Sequence, residues 1–246
     1  MYDSSLGALI LAAGKGTRMR SSLPKPLIPL AGKPIIYYII EALKQTGVNH
    51  IAIVVGHGAD EIKGALGNRF TYVMQEEQKG TAHAVLVASS LIAKYKDVLV
   101  FVGDSPLIRP DTIQLLINHH YQSLADCTFL TGDFPRPFPY ARVVRDTSGN
   151  MIKCVEEQWA SPEEKRLNEY MTSHYIFNTL VLIDYVKKIK PDPVTDEFYL
   201  TDIIGALLNE NLKVDTVKVK DYRELVGLNT PDDLAWAEGI VRDRYV

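Results

Sequence analysis

Residues 7–19 read GALILAAGKGTRM. The first five are apolar without interruption, as in a strand covered on both faces of a parallel sheet. Ala12-Ala13-Gly14-Lys15-Gly16 then makes a turn of small residues, with the cations Lys15 and Arg18 beside it. Such a turn lets backbone N–H groups approach phosphate oxygens while the cations supply countercharge, which suits a polyphosphate. It is not a Walker A loop, because GxxxxGK[ST] is absent. The dinucleotide pattern GxGxxG also fails, since its third glycine position is Met19. Taken alone, a Gly-x-Gly after a strand is more often a plain tight turn.

Working outward, similar apolar runs recur at 51–55 (IAIVV), 72–74 and 98–102 (VLVFV), each expected as a fully buried strand. Helix-length stretches lie between them: 34–45, led by Pro34 and stopped before Gly47, then 59–66, 81–92 and 111–119. This β-α-β-α rhythm implies parallel strands with right-handed crossovers. The second half is more mixed. Strands are expected at 128–131, 141–144, 152–155, 170–177 and 213–219, and helices at 199–208 and 231–242. The stretch 133–140 (DFPRPFPY) holds three prolines in eight residues and reads as a stiff loop. No repeat or linker divides the chain. The expected fold is α/β: one domain with a Rossmann-like mixed, mostly parallel sheet and helices on both faces.

Composition narrows the function. With 27 basic and 30 acidic residues the formal net charge is −3. That argues against a general nucleic-acid or anionic-membrane binder. An apolar fraction of 46% supports a real core. Cys127 and Cys154 lack metal-ligand spacing and read as reduced thiols of a cytoplasmic protein. Residues 1–5 carry Asp3 and no basic residue, unlike a leader peptide, and no stretch approaches the roughly 20 apolar residues of a membrane helix. His57, His83 and His174 are scattered and read as core or hydrogen-bonding residues. His119 and His120 fall late in a helix, where a cationic imidazole is comfortable. Residues 163–166 read as a solvated helix face, and Trp159 and Trp236 as packing residues.

A second motif follows the first. Leu23-Pro24-Lys25-Pro26 locks Lys25 between two prolines, in backbone with little freedom, and Leu30-Ala31-Gly32-Lys33-Pro34 precedes a helix. With 11–19, these segments resemble the signature of the sugar-1-phosphate nucleotidylyltransferases. The likeness is strongest to the uridylyltransferase domain of bacterial N-acetylglucosamine-1-phosphate uridylyltransferases. It continues through 56–58 (GHG), 75–84 (QEEQKGTAHA), 103–107 (GDSPL), 155–157 (VEE), 199–204 (YLTDII) and 227–229 (GLN), and so spans nearly the whole chain.

The resemblance implies that a nucleoside triphosphate, UTP favoured, reacts with a sugar 1-phosphate to give a nucleoside diphosphate sugar and pyrophosphate, with Mg²⁺ as cofactor. Residues 1–110 would form the nucleotide half and 111–246 the sugar half. Leu11, Ala12, Ala13, Gly14, Lys15, Gly16 and Gly103 match positions that wrap the nucleotide, and Gln75, Gly80 and Thr81 match positions that contact the base. A glutamine amide both donates and accepts, as reading a uracil edge requires. Arg18 would hold the departing pyrophosphate, and Lys25 would bridge phosphate oxygens near the reacting phosphorus. Asp104 and Asn229 match the family's magnesium pair, which makes Arg18, Lys25 and Asp104 the catalytic set. Without the resemblance, Asp104 reads as a turn aspartate and Asn229 as a helix cap before Pro231.

At the sugar, Glu156 matches, but two positions depart. Ala141 stands where the relatives have glycine, and Met171-Thr172-Ser173 stands for Asn-Thr-Gly. Ala141, Glu156, Met171 and Thr172 are therefore the candidate sugar-binding residues. The departures suggest weaker discrimination for N-acetylglucosamine 1-phosphate, or another sugar such as glucose 1-phosphate. The sequence holds no hexapeptide repeat, so neither a β-helix acetyltransferase domain nor that activity is expected. Homo-oligomerisation stays open. Two alternatives stand beside this reading: a transferase of the same fold using another nucleotide or a non-sugar acceptor, and a non-catalytic nucleotide-sugar sensor. Keeping Arg18, Lys25, Asp104 and Asn229 together disfavours the sensor.

Overall fold

A computed structural model describes residues 5–244. Residues 1–4, read above for a leader, lie outside it. The first half runs β1 (Leu6–Leu11), the short pair β2 (Pro29–Leu30) and β3 (Lys33–Pro34), α1 (Ile35–Gln45), β4 (Ile51–Val55), α2 (Ala59–Leu66), β5 (Thr71–Met74), α3 (Thr81–Val87), α4 (Ser89–Ile92) and β6 (Asp97–Val102). The second half runs α5 (Pro110–Ser123), β7 (Cys127–Asp133), β8 (Ala141–Arg145), β9 (Met151–Val155), β10 (Glu169–Asn178), α6 (Thr179–Val186), α7 (Asp202–Asn209), β11 (Val214–Lys218) and α8 (Pro231–Arg244).

The main sheet has the order β11-β7-β10-β6-β1-β4-β5, with β8 and β9 attached beyond one end of β10. β1 pairs in parallel with β4 and β6, and β4 with β5. β10 is antiparallel to β6, β7 and β8. The sheet is therefore mixed, with its parallel pairings concentrated in the first half. The chain leaves β1 toward β4 on one side and leaves β6 toward β7 on the other. Such a reversal opens a crevice at the carboxyl ends of the strands, where ligands of α/β sheets bind.

Alternate residues of the central strands feed two cores. Ile10, Ile53, Val55, Leu99 and Phe101 pack with α1, α2 and α5, while Leu9, Ala52, Val54, Val98 and Val100 pack with α3, α6 and α7. Burial on both faces is why these runs are continuous rather than alternating. A third, smaller core joins Met19, Ile28, Leu30, Ile35, Leu107 and Leu228 to Ala237 and Val241 of α8.

Several boundaries differ from the sequence expectation. β5 is the edge strand, and of the run expected as fully buried, Met74 is exposed and Tyr72 and Val73 are only partly buried. The helix expected at 81–92 is interrupted at Ala88, and the one expected from 199 begins at Asp202. Pro34 sits just before α1, as its cap residue. The helix α6 is an addition, started by Asn178, whose side chain accepts from the Val181 N–H at 3.2 Å. Trp159 has a polar contact besides any packing. It is half exposed, and its indole N–H donates to Asp192 at 2.7 Å. Trp236 is also partly exposed. No described helix is long and apolar enough to cross a membrane.

Candidate active site

Three strands, β1, β5 and β6, end at one crevice, and each is followed by residues that line it. After β1, the Ala12 N–H still pairs with Val54, and the Gly103 N–H donates to the Leu11 carbonyl at 2.8 Å. From Gly14 to Arg18 the backbone N–H groups have no partner among the described residues. Gly16 has φ 61°, and a Cβ there would lie 2.6 Å from Cβ of Lys25. Glycine is thus required both by the turn and by the close approach of the lysine segment. Gly58, after β4, packs equally tightly on Pro24, which fixes the backbone leading into Lys25.

The resulting cleft is about 600 Å³ in volume. Leu11, Ala12, Ala13, Gly14, Lys15 and Gly16 line one wall, and Gln75, Gly80 and Thr81 another. Arg18, Lys25, Gly103, Asp104 and Asn229 close one end. The Lys25 ammonium donates to Asp104 Oδ2 at 2.5 Å and to Asn229 Oδ1 at 2.9 Å, and Arg18 Nη2 donates to the same Asn229 oxygen at 2.9 Å. Residues far apart in sequence thus converge on one point. A carboxylate and an amide oxygen already meet on one cation there, which is a donor set suited to a hard divalent ion as well. Among the described residues, no group of three or more acidic, histidine or cysteine side chains forms a metal cluster.

The base-side wall is organised by Gln75, which is buried. Its amide nitrogen donates to the Gly80 carbonyl at 3.1 Å and lies 3.0 Å from His83 Nδ1. With both amide hydrogens engaged, Oε1 is left as the group that can accept. His83 was read from sequence as a hydrogen-bonding histidine, but its contact with Gln75 was not legible. Its place two residues after Thr81 was the available signal. Phe198 and Leu200 brace this wall: the Phe198 N–H donates to Lys79, the Ala82 N–H to Phe198, and the Leu200 N–H to Thr81 Oγ1.

A second cavity of about 210 Å³ adjoins the first, and Arg18, Val102, Asp104 and Asn229 line both. Ala141, Glu156, Met171 and Thr172 all line it. Met171 and Ala141 are direct cross-strand neighbours, so they make one apolar patch. Ser173, at a bulge of β10, has φ 61°, a left-handed value that costs a non-glycine residue energy. Burial pushes the Glu156 carboxyl above the ordinary carboxylate value despite a hydrogen bond from Thr201, and the charges of Asp202 and Asp192 add to the rise. Burial holds the His174 imidazole down at about 4, so it is neutral, and Thr172 Oγ1 lies 3.1 Å from its Nδ1. Ser105, Tyr140 and Thr201 also line it and were not assigned to the sugar side from sequence. The Tyr140 hydroxyl accepts from the Gly227 N–H at 3.0 Å, which ties the proline-rich loop to the segment carrying Asn229.

Residues 8–168 match the family described as the MobA-like NTP transferase domain. The chain belongs to that family. This NTP transferase chain is 39% identical over 238 residues to the bifunctional protein GlmU of Staphylococcus carnosus, and 40% identical to that of Staphylococcus haemolyticus. Each alignment covers 96% of this chain and 52–53% of the relative. The chain thus spans about half the length of these curated relatives. In fold it resembles a candidate glucose-1-phosphate thymidylyltransferase from Bacillus anthracis, solved with sucrose. The TM-score is 0.79 at 22% identity, over 97% of this chain and 96% of that one.

Proposed function

We propose that this NTP transferase moves a nucleoside monophosphate, UMP in preference, from the triphosphate to a sugar 1-phosphate, with release of pyrophosphate. The observation that carries the reading is the junction of the two cavities. The larger holds the unpaired N–H groups of the Gly14–Arg18 turn, the smaller holds Glu156, and Arg18, Asp104 and Asn229 belong to both. Residues 1–110 supply most of the nucleotide side and 111–246 most of the sugar side.

The sugar phosphate oxygen is the nucleophile and attacks the α-phosphorus as pyrophosphate departs in line. The chain therefore supplies position and charge rather than a nucleophilic side chain. The Gly-rich turn holds the triphosphate through its backbone N–H groups. Arg18 and Lys25 neutralise oxygens on the two sides of the transferred group. Asp104 and Asn229 would hold Mg²⁺, which supplies charge stabilisation to the phosphate oxygens. Gln75 Oε1 accepts, and the Gly80 N–H, unpaired among the described residues, donates. That pair complements the N3–H and O4 edge of uracil and opposes the donor–acceptor order of cytosine.

Pyrophosphate release, measured for the common nucleoside triphosphates against a panel of sugar 1-phosphates with and without Mg²⁺, tests the reading. Turnover should require Mg²⁺ and a sugar phosphate. Asp104→Ala should lose roughly a hundredfold or more in rate with a smaller effect on nucleotide binding. Near-normal Mg²⁺-dependent turnover in that variant would overturn the assignment of Asp104.

A further inference from the structure

The contacts at the closed end of the larger cavity leave Asn229 no acceptor capacity to spare. Its side-chain oxygen accepts from Lys25 Nζ and from Arg18 Nη2, each at 2.9 Å. An amide oxygen has two lone pairs, so both are taken. The amide nitrogen donates to the Gly227 carbonyl at 3.0 Å, which fixes the oxygen as the atom that faces the cations. Lys25 Nζ also donates to Asp104 Oδ2 at 2.5 Å, in an ion pair whose side chains are 13% and 27% exposed. The oxygens assigned above to a divalent ion are therefore bound to the chain's own cations.

Lys25 reaches this point from backbone with little freedom. Pro24 and Pro26 flank it, Pro24 packs on Gly58, and the Lys25 Cβ lies close against Gly16. What can turn is the side-chain stem. Lys25 and Arg18 share the cavity with the unpaired N–H groups of the Gly14–Arg18 turn, so phosphate oxygens held by that turn compete with Asp104 and Asn229 for both cations. A divalent ion on the same two oxygens would instead sit directly against two positive charges, where repulsion is strong.

We infer that Lys25, with Arg18, is a gate on the Asp104–Asn229 pair. The two cations hold the pair together and closed to divalent ions until a triphosphate draws them away. This rests on the reading of Asp104 and Asn229 given above. It implies an order: without nucleotide the protein binds divalent ions poorly, and the pair opens as phosphate oxygens take over the lysine and the arginine.

The test is direct binding of Mn²⁺, followed by electron spin resonance of the free ion, with no nucleotide present. The parent should bind weakly. Lys25→Met keeps the stem and removes the ammonium, and should bind at least about tenfold more tightly. Arg18→Met should gain less, because it frees one lone pair of Asn229 and leaves the ion pair at Asp104. Lys15→Met removes a charge from the same cavity without breaking a bond to the pair, and should stay within twofold of the parent. Adding Asp104→Ala to Lys25→Met should abolish the gain. Mg²⁺ should also raise Tm more in Lys25→Met than in the parent. Equal Mn²⁺ affinity in the parent and Lys25→Met, or an equal gain from Lys15→Met, would overturn the gate. If Lys25→Met does not fold, Arg18→Met decides, and no gain there sinks the inference. Mg²⁺-dependent pyrophosphate release by the parent, beside an unchanged affinity in Lys25→Met, would overturn the gate alone. Failure of every protein to bind Mn²⁺, with no Mg²⁺-dependent release by the parent, would overturn the metal assignment itself and this inference with it.

Discussion

Replacing Gly80 by alanine should damage stability and nucleotide binding together, by an amount the backbone sets. Gly80 has φ 95° and ψ 179°, in a region essentially reserved for glycine. Occupying it with alanine costs about 1–3 kcal/mol. The new Cβ would lie 2.6 Å from the Phe198 carbonyl oxygen and 2.8 Å from its nitrogen. Backbone cannot swing aside as a flexible side chain can. The Phe198 segment is held by two hydrogen bonds, of 2.8 and 2.9 Å, to Lys79 and Ala82. Relief of the clash sacrifices one or both, at about 1 kcal/mol each. The sum is about 2–5 kcal/mol, a large share of a domain's usual 5–15 kcal/mol. Urea unfolding of parent and variant measures this directly. On the folded fraction, KM for UTP should rise by about tenfold or more while KM for the sugar phosphate changes little, because Gly80 carries the donor beside Gln75. A stability loss below about 0.5 kcal/mol, with an unchanged m-value, would refute the argument from backbone geometry.

Three further outcomes are expected. His83→Leu removes an acceptor from the Gln75 amide, so kcat/KM for UTP should fall about tenfold relative to CTP, with partial rescue in His83→Asn; an unchanged UTP to CTP ratio would show that Gly80 alone fixes the amide. Ser173→Gly relieves a left-handed residue and should raise Tm by about 2–4 °C by differential scanning calorimetry. Glu169 supplies a pH signature: burial would raise its pKa, but hydrogen bonds from Arg145, Thr131 and Lys218 outweigh that and hold it at about 2. Its contribution is present above the ordinary value near 4.5 and is lost as pH falls through about 2. Glu169→Gln should therefore be less stable than the parent at neutral pH, and the difference should shrink between pH 4.5 and 2 in denaturant titrations.

Much of the architecture was legible because burial on both faces leaves a local trace. The runs at β1, β4 and β6 are continuous, and 59–66 matches α2 to the residue. Strand direction leaves no such trace, so the antiparallel placement of β10 followed only from tertiary pairing. The edge position of β5 was hidden because Tyr72 and Val73 are apolar whether or not anything covers them. The helix α6 was missed because TLVLIDYV prolongs the apolar character of β10, and its one local cue is the cap at Asn178. The site divides in the same way. The candidate site residues line the two cavities. The links from Gln75 to His83 and from Tyr140 to Gly227 join residues 8 and 87 positions apart, and no local pattern encodes them. That the Ser105 hydroxyl has no partner among the described residues is likewise a property of the folded interior.

The small third core has a consequence for how the protein comes apart. Met19 and Leu228, each next in sequence to a charged or polar residue of the crevice, share their burial with Ala237 and Val241 of α8. Arg18 and Asn229 are thus moored in part to α8, beside the Leu228 N–H bond to the Asp104 carbonyl after β6. Cooperative units open at different free energies in one native molecule, and a helix buried against a small separate core is among those that open early. Release of α8 would loosen both segments in a single event while the sheet stays intact. Amide hydrogen exchange should then show residues 17–19, 227–229 and 231–244 exchanging with a common opening free energy, below that of β1 and β6.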